Sequence, residues 1–539
     1  DATNDDAVRR LRERKRREEK PFAVMSADLE AVRQYCEISE YEARILSCFQ
    51  RPIVLLRKRV PNSVAPAVAP SNRRFGVMLP YTPIHHILLA DKRFLALVMT
   101  SGNLTDEPIA IDNAEAVQRL SGIADAFLVH NRDIGVRSDD SVTRVRGYYE
   151  TLVIRRARGY APEPVLLRGK SEDILAVGPE LKNTICVVRG EAAFLSQHIG
   201  DLKTLEAHSF FHETIAHLTE ILETQPPIVA HDLHPGYLST QFAQKLAAEK
   251  GSAVRLVGVQ HHHAHVASCM AEHGLDEKVI GVSWDGTGYG TDGKIWGGEF
   301  LVADLDGFER VARFRYVPLP GGDAAIRDPR RTALAFLHAA YGQDFASLNL
   351  RILDELPPAD VNVLVSMMKR RFNAPETSSV GRLFDAVAAL TGVCGRNSYE
   401  GQAAMELEAV ADESCAEAYP HELQEDGQGW VVDSAVIVRS VVEDLKRRES
   451  PAIISAKLHN TLVSALVDVC SRVFQEHGLK KVVLSGGVFQ NEHLLTRAIP
   501  ALRHRGLDPY EHHTIPPNDG GIALGQAAVA RARQSQETV

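Results

Sequence analysis

The chain has 539 residues, of which 45% are hydrophobic and 24% are charged, a composition typical of a globular protein and unlike a disordered or fibrous one. At roughly 150 residues per domain, this length predicts about three to four domains. The formal net charge of −9 argues against a protein that mainly grips nucleic-acid backbone, so no nucleic-acid partner is predicted.

Cysteine spacing and hydropathy indicate the compartment. The seven cysteines form no CxxC pair, which predicts reduced thiols in a cytoplasmic protein and excludes a zinc ribbon within this chain. Apolar runs stay short of the roughly 20 residues that a membrane span needs, so no membrane partner is predicted.

The first part of the chain alternates short apolar runs with helical stretches, which predicts an α/β domain. The predicted strands are Phe22–Met25, Ile53–Leu56, Leu95–Met99 and Phe127–Val129. The predicted helices are Glu40–Gln50 and Asn113–Gly122. A stretch with proline and glycine, Arg158–Pro164, predicts a linker after this domain.

The second part repeats a pattern of strand, Gly-rich turn and strand, which indicates a duplicated α/β core. Its predicted strands are Ile174–Val177, Thr184–Val188, Val279–Trp284, Phe300–Ala303 and Lys481–Leu484. A helix is predicted over Leu202–Leu222, and residues 332–407 are predicted to be mainly helical.

A histidine cluster, His261–His265, is the strongest local signal for chemistry. On a helix, His261 and His265 lie at i and i+4 on one face, close enough to share a metal ion. His262 and His265 are also helix neighbours, so spacing alone does not choose the pair. The alternative is a polar helix end. Asp285 and Asp519 are further candidate ligands because both lie in Gly-rich segments after strands.

Three Gly-rich turns are candidates for phosphate binding, since glycine lets backbone N–H groups approach an anion closely. They are Asp285–Gly290, Ser485–Val488 and Asn518–Gly521. Each by itself is more often an ordinary hairpin or loop. Together, at strand ends, they favour a nucleotide cleft.

Cationic and hydroxyl-bearing segments in the first part also suit an anion. The run Lys15–Arg17 with Lys20 is either a solvated helix face or an anion site. The segments Thr100–Asn103, Ser138–Ser141 and Arg155–Arg158 add hydroxyl, amide and guanidinium donors.

These motifs, taken in order, resemble a known family. Lys15–Pro21, Thr100–Asn103, Ser141 and Arg158–Gly159 resemble a YrdC-like domain. From about residue 173, the chain resembles the Kae-type, actin-like ATPases. The matching segments are His261–His265, Asp285–Gly288, Phe384–Val387, Tyr399–Gln402, Ser485–Val488 and Asn518–Gly521. This order is similar to that of the HypF family of carbamoyltransferases, which mature [NiFe]-hydrogenases.

The resemblance implies the fold class and its extents. It is α/β, with a YrdC-like α/β domain over 1–168 followed by a Kae-like, actin-like ATPase (duplicated RNase H-like) domain over 173–539. The second domain is expected to have two lobes, about 173–315 and 316–539. The family also carries an N-terminal acylphosphatase-like domain and zinc fingers, which this sequence is expected to lack, so use of carbamoyl phosphate by this chain alone is not implied.

The resemblance also implies site residues. One transition metal, zinc or iron, is expected on His261, His265, Asp285 and Asp519. The YrdC-like nucleotide pocket is expected to comprise Lys15, Arg16, Lys20, Thr100, Ser101, Asn103, Ser141 and Arg158. The nucleotide cleft of the second domain is expected to include Asp385, Glu400, Gly486 and Gly487, with Asp385 or Glu400 accepting from ribose hydroxyls.

The implied reaction uses ATP, Mg²⁺ and carbamoyl phosphate or carbamate. Carbamate is adenylated, with Lys15 and Arg158 as catalytic cations, and the carbamoyl group passes to the C-terminal cysteine thiol of a partner, HypE. His262 or His263 is predicted to accept the thiol proton, since histidine titrates near neutral pH.

Three alternatives remain at this point. A tRNA-modifying threonylcarbamoyl enzyme uses the same two fold families, and the acidic net charge counts against it. A small-molecule carbamoyltransferase resembles this chain with the domain order reversed. A non-enzymatic actin-like ATP-binding chaperone would leave the basic pocket of the first domain without a purpose.

Overall fold

The structure is a computed structural model that describes residues 1–104, 107–147, 150–169 and 171–537. The chain forms two compact units. Unit 1 comprises Asp1–Gly258 together with the C-terminal segment from His512, and unit 2 comprises Val259–Glu511. The chain therefore enters unit 2 once and returns to unit 1 at its end.

The described residues form strands and helices in alternation. The strands are β1 (Ala23–Met25), β2 (Ile53–Arg57), β3 (Arg74–Met78), β4 (Leu97–Met99), β5 (Val142–Arg146), β6 (Glu150–Arg155), β7 (Pro164–Leu166), β8 (Ile174–Ala176), β9 (Cys186–Arg189), β10 (Ala192–Leu195), β11 (Ile228–Asp232), β12 (Arg255–Val259), β13 (Val279–Tyr289), β14 (Ile295–Ala303), β15 (Phe308–Phe314), β16 (Val317–Pro318), β17 (Glu376–Thr377), β18 (Leu423–Glu425), β19 (Trp430–Val432), β20 (Lys481–Ser485) and β21 (Asp508–Glu511). The helices are α1 (Asp5–Lys15), α2 (Leu29–Arg33), α3 (Glu40–Ser47), α4 (Pro83–Leu89), α5 (Asn113–Leu120), α6 (Leu205–Ile221), α7 (Leu238–Lys250), α8 (His261–His273), α9 (Asp323–Arg327), α10 (Pro329–Tyr341), α11 (Arg351–Asp354), α12 (Pro358–Arg370), α13 (Val380–Leu390), α14 (Gln402–Val410), α15 (Ser434–Lys446), α16 (Pro451–His477), α17 (Glu492–His504) and α18 (Ile522–Glu537).

Unit 1 contains two six-stranded sheets. The first has the order β4-β1-β3-β2-β5-β6, and its core buries Phe22, Tyr35 and Phe75. Because β4 runs antiparallel to β1, with Met99 opposite Ala23, residues 100–103 begin beside the amino end of β1. The buried guanidinium of Arg12 fastens α1 nearby, since it donates to the carbonyl of Ala67 at 2.5 Å and to that of Lys20 at 3.1 Å.

The second sheet of unit 1 has the order β12-β11-β8-β9-β10-β7. The strands β8 and β11 are buried along their whole length, as expected of parallel strands that are covered on both faces. The C-terminal helix α18 packs against both strands, which explains why the end of the chain belongs to unit 1.

Unit 2 is built on one nine-stranded sheet with β13 near its centre. The strand β13 pairs antiparallel with β14 and parallel with β20, and Ser283 lies opposite Ser485. Because β13 and β20 run parallel and in this register, the residues that follow both positions meet at one edge of the sheet. Helices α8 and α13 both pack against β13.

The longest helix of unit 2, α16, is apolar and has 27 residues. By length and composition it is the one helix among the described residues that could cross a membrane, but 72% of its most apolar window is buried within the protein. Leu458, Leu462 and Leu466 belong to the largest core. This burial is typical of a core helix.

Most predicted elements are confirmed, with ends that shift by one to four residues at most positions. The predicted strand Phe127–Val129 is wrong: these residues are irregular, and Leu128 is 77% exposed. An apolar run becomes a strand only when a neighbour completes its backbone hydrogen bonds, and the sheet ends at β4 and β6.

The division of the chain differs from the predicted lobe limits. The predicted boundary at 315/316 lies between strands of a single sheet, since β13–β15 pair with β19 and β20. Residues 512–537 belong to the first unit and not to the second. The limits of 1–168 and 173–539 for the two domains stay predictions.

Candidate functional site

In unit 2, the start of α8 and the middle of β13 bring together three side chains that could bind a metal ion. Nε2 of His261 and Nε2 of His265 lie 3.5 and 3.4 Å from the same oxygen, Oδ2 of Asp285. The two imidazole rings are 5.0 Å apart, and all three residues are buried. The structure therefore pairs His261 with His265 at this carboxylate.

These separations fit a bound ion. A metal with bonds of about 2.1 Å in tetrahedral geometry holds its ligand atoms about 3.4 Å apart, whereas a direct N–H···O hydrogen bond is about 2.9 Å. Burial acts to raise the pKa of Asp285, but the neighbouring imidazoles of His261 and His265 outweigh it and hold that pKa well below its usual range. Two imidazoles and an ionised carboxylate suit zinc or iron.

Gly288 makes room for this cluster. A Cβ at Gly288 would lie 2.5 Å from Cε1 of His262 and 2.6 Å from Cδ2 of His261. Carbon atoms in favourable contact are about 3.5–4.0 Å apart, so any side chain here would displace the histidine helix. The close approach of α8 to β13 therefore depends on this glycine.

We expect Gly288→Ala to weaken metal binding about tenfold or more, because the added methyl group moves His261 away from Asp285. Competition against a chromophoric chelator measures this affinity. Gly307→Ala is the matched control, since a Cβ at Gly307 would have no heavy atom within 4 Å. Equal affinity in the Gly288→Ala variant and the wild type would contradict the geometry.

The second oxygen of Asp285 joins the histidine cluster to a glycine loop. Oδ1 accepts a hydrogen bond from the backbone N–H of Gly487 at 3.1 Å. Gly486 has φ +101°, and a Cβ there would lie 2.2 Å from the carbonyl oxygen of Trp284. The loop is thus held against β13, with Gly487 beside Asp285, and the role of Gly486 and Gly487 in a nucleotide cleft stays a prediction.

Asp385 and Glu400 lie in different surroundings. Asp385 is buried on α13, and its Oδ2 is 2.8 Å from a guanidinium nitrogen of Arg382. Burial raises the pKa of Asp385 to about 6, against the lowering effect of Arg382. Glu400 is exposed in the turn before α14. The roles of both carboxylates toward ribose stay predictions.

Asp519 lies in unit 1, where it is buried at the start of the 3-10 helix Asp519–Gly521. Its neighbour Asn518 donates a side-chain hydrogen bond to the carbonyl of Ile154 at 2.9 Å, and Gly520 accepts from the hydroxyl of Thr184 at 3.0 Å. These contacts hold the turn inside its own unit. The role of Asp519 as a metal ligand stays a prediction.

The other two histidines of the cluster have separate environments. His262 packs between His261 and Trp296, with ring centroids 5.4 and 5.7 Å away. His263 contacts Phe308 instead, and its Nε2 donates to the carbonyl of Asp304 at 2.7 Å. The structure therefore places His262, and not His263, beside the metal-type cluster.

Unit 1 holds a second site, built on the last residue of α1. Nζ of Lys15 lies 2.7 Å from the carbonyl oxygen of Ser101 and 3.1 Å from that of Asn103. The Ser101 hydroxyl donates to the side-chain oxygen of Asn103 at 2.7 Å. The hydroxyl of Thr100 is buried and makes no hydrogen bond within the described part of the chain. The structure thus brings Lys15, Ser101 and Asn103 together, and their role in a nucleotide pocket stays a prediction.

Burial, together with the nearby charge of Arg17, lowers the pKa of Lys15 to about 8. The ammonium form, which attracts phosphate, therefore predominates below about pH 8 and is lost above it.

We expect the affinity of the full chain for inorganic pyrophosphate at this site to fall as pH rises above about 8, by up to about tenfold per pH unit. Isothermal titration calorimetry at pH 7, 8 and 9 measures this change in pyrophosphate affinity. Lys15→Arg is the control, because a guanidinium stays charged throughout and should flatten the profile. An identical decline in Lys15→Arg would contradict the assignment to Lys15.

Ser141 and Arg158 contact each other in unit 1. The Ser141 hydroxyl donates to the carbonyl of Arg158 at 2.9 Å. The Arg158 guanidinium donates to Oδ1 of Asp140 at 2.9 Å and to the carbonyl of Gln50 at 3.0 Å. It also lies 3.6 Å from the ring centroid of Tyr81. Arg158 therefore contacts Asp140, the Gln50 carbonyl and the Tyr81 ring. Its catalytic role stays a prediction.

Arg16 and Lys20 are exposed. Arg16 ends α1 in the left-handed region, with φ 49°. The carbonyl of Lys20 accepts from Arg12 and, at 2.9 Å, from Arg17. The backbone around both residues is thus fixed while their side chains reach solvent.

Sequence reasoning missed Gln260, Arg382 and Tyr81. Arg382 is buried on the turn of α13 whose N-cap, Ser379, donates to the carbonyl of Asp285 at 2.7 Å. An arginine three residues before an aspartate on an apolar helix was the available signal for the pair Arg382–Asp385. Nothing local marked Tyr81 as a partner of Arg158, because 77 residues separate them.

Three family models match consecutive parts of the chain. Residues 1–157 match the Sua5/YciO/YrdC model, described as telomere recombination. Residues 169–272 match the HypF Kae1-like domain, and residues 281–526 match the second subdomain of the carbamoyltransferase Kae1-like domain.

Curated relatives match almost the whole chain. Carbamoyltransferase HypF2 of Cupriavidus necator is 44% identical over 99% of this chain and 70% of its own length. Carbamoyltransferase HypF of Synechocystis is 40% identical over the same shares.

Two solved HypF structures are similar to this chain over almost its whole length. A full-length HypF in the phosphate- and nucleotide-bound form has a TM-score of 0.94 and 46% identity, covering 98% of this chain and 82% of that one. The HypF of T. kodakarensis has a TM-score of 0.92 and 36% identity, covering 99% and 70%.

The fold, the site and these matches define a carbamoyltransferase in which a YrdC-like domain precedes Kae1-like domains, as the sequence predicts. The chain belongs to the HypF family, whose members act in hydrogenase maturation.

Proposed function

We propose that the protein is an ATP-dependent carbamoyltransferase with two chemical steps. In the first step carbamate attacks ATP to form carbamoyl adenylate and pyrophosphate. In the second step the carbamoyl group passes to the C-terminal cysteine thiol of HypE, for synthesis of the cyanide ligand of [NiFe]-hydrogenase. Membership of the HypF family supports both steps.

The contact of Lys15 with Ser101 and Asn103 carries the proposal for the first step. A buried ammonium beside backbone and hydroxyl groups suits a polyphosphate, and the phosphate- and nucleotide-bound form of a relative supports ATP as the ligand. Lys15 and Mg²⁺ would offset the charge that develops at the α-phosphorus. Arg158 would hold the wall of this pocket through Asp140 and Tyr81.

The cluster of His261, His265 and Asp285 supports the proposal for the second step. A zinc or iron ion held there would act as a Lewis acid toward the carbamoyl or phosphate oxygens. The hydrogen bond from Gly487 to Asp285 holds the loop Ser485–Gly487 beside this cluster, which supports a role for the loop's other backbone donors toward an adenylate phosphate. We include Asp519 as a fourth ligand in this proposal.

The setting we propose is the cytoplasm, in agreement with seven free cysteines among the described residues. Carbamoyl phosphate or carbamate, ATP and HypE are the proposed partners, without nucleic acid and without a membrane. A threonylcarbamoyl activity on tRNA is the competing assignment, and tRNA binding by the purified protein would favour it.

ATP–pyrophosphate exchange tests the first step. We expect exchange that depends on carbamoyl phosphate or on carbamate supplied from bicarbonate and ammonia. Exchange that depends on threonine and bicarbonate would favour the tRNA-type alternative. A folded protein that binds ATP but shows no exchange with any of these would contradict adenylation by this chain.

A further inference from the structure

Gln260, the residue before α8, makes hydrogen bonds that fix the orientation of its side-chain amide. Its Oε1 accepts from the backbone N–H of His263 at 2.9 Å. Its Nε2 donates to the backbone carbonyl of Tyr289 at 3.0 Å. A backbone N–H only donates and a carbonyl only accepts, so the amide has one orientation.

This orientation determines where His262 carries its proton. The amide nitrogen of Gln260 is also 3.1 Å from Nδ1 of His262. An amide nitrogen is a donor and not an acceptor, so Nδ1 of His262 accepts and bears no hydrogen. The proton of the neutral ring is therefore on Nε2. That atom is buried and makes no hydrogen bond within residues 1–104, 107–147, 150–169 and 171–537.

The ring of His262 is held in place by its neighbours. Trp296 packs against it, and Trp296 is itself fixed by Asp292, which accepts from its indole N–H at 2.9 Å. The Arg310 guanidinium lies 4.3 Å from the Trp296 ring centroid on β14. The charged or titratable groups that act on His262 are His261 and His265 of α8, Asp285 of β13 and Arg310 of β15.

We propose that His262 donates a hydrogen bond from Nε2 to the carbamoyl oxygen during transfer, and that Gln260 is the positioning residue that makes it a donor. The part of this proposal that concerns the carbamoyl oxygen rests on the proposed function. It reverses the role predicted from the sequence, since a ring with its proton on Nε2 and Nδ1 already engaged by Gln260 has no free lone pair with which to accept the thiol proton.

The step balances without a proton from His262. The acceptor sulfur forms a bond to the carbamoyl carbon, and the bond from that carbon to the adenylate oxygen breaks. AMP leaves with the bonding electron pair, and the thiol proton goes to solvent. The hydrogen bond from Nε2 stabilises the negative charge that develops on the carbamoyl oxygen between these events.

The proton position is testable without any transfer assay. In the zinc-loaded full chain with ¹⁵N-labelled histidine, the signals of His262 are those lost in His262→Gln. We expect a protonated Nε2 and an unprotonated Nδ1. In Gln260→Glu the new carboxylate accepts from the ring, so Nδ1 should become protonated. A protonated Nδ1 and unprotonated Nε2 in the wild type would overturn the proposal.

A variant that keeps an N–H donor at position 262 tests the proposed hydrogen bond to the carbamoyl oxygen. Transfer of a carbamoyl group to a HypE thiol should fall about 100-fold in His262→Ala and much less in His262→Gln, whose amide retains an N–H donor. Equal losses in the two variants, at equal zinc content, would overturn it. If the wild type shows the expected proton position but no transfer, the proposed function fails and the Gln260–His262 assignment stands.

Discussion

His265→Ala is expected to remove the metal ion from unit 2 and to reduce carbamoyl transfer by about 100-fold or more. The variant takes away one of two imidazoles that converge on Oδ2 of Asp285. A site reduced to one histidine and one carboxylate binds zinc or iron far more weakly. Metal analysis of the purified variant, together with a transfer assay, measures both effects.

His263→Ala is the matched control for this variant. It removes an equally buried histidine from the same helix, but one whose Nε2 donates to the carbonyl of Asp304. We expect this variant to keep its metal and to lose about 1–3 kcal/mol of unfolding free energy, because it leaves that carbonyl without its donor. Loss of metal from both variants would show that the helix, and not the ligand set, had been disrupted.

Lys15→Met is expected to reduce ATP–pyrophosphate exchange by about 100- to 1,000-fold and to leave the metal content of unit 2 unchanged. Methionine keeps most of the apolar stem but loses the ammonium that contacts Ser101 and Asn103. Exchange reports adenylate formation directly, so the measurement isolates the first step from transfer.

Lys58→Met provides the control for burial. Lys58 is a second lysine of unit 1 whose pKa burial lowers to about 8. Its Nζ donates to the carbonyl of Ala69 at 2.7 Å and lies 4.5 Å from the ring centroid of Phe75, in contact with the core rather than with Ser101. We expect lower stability and normal exchange. Equal losses of exchange in both variants would contradict a specific role for Lys15.

Local sequence patterns predicted the elements on which the sites are built. Strand runs such as Ile53–Leu56 and Lys481–Leu484 follow from short-range spacing, and the structure contains them. The i, i+4 spacing of His261 and His265 lies within one helix, so their shared face needed no tertiary information. Asp285 was predicted from the Gly-rich segment at the end of its strand.

Residues that depend on distant partners were harder to predict. Arg158 was expected to act on the nucleotide, and the structure shows its guanidinium engaged by Asp140 and by the Gln50 carbonyl. Phe127–Val129 has the composition of a strand without the neighbour that a strand requires. In each case the deciding contact lies outside the local window.

The sequence by itself determined the family and the order of the two kinds of domain, because these depend on motifs within single elements, whereas spacing left His262 as an alternative to His261. The tertiary structure decided which atoms meet. The parallel pairing of β13 with β20 brings Asp285 to Gly487, 202 residues away, and Gln260 decides which nitrogen of His262 carries the proton. Strand pairing and hydrogen-bond direction are set by the packed fold, since each needs a partner that no local pattern specifies.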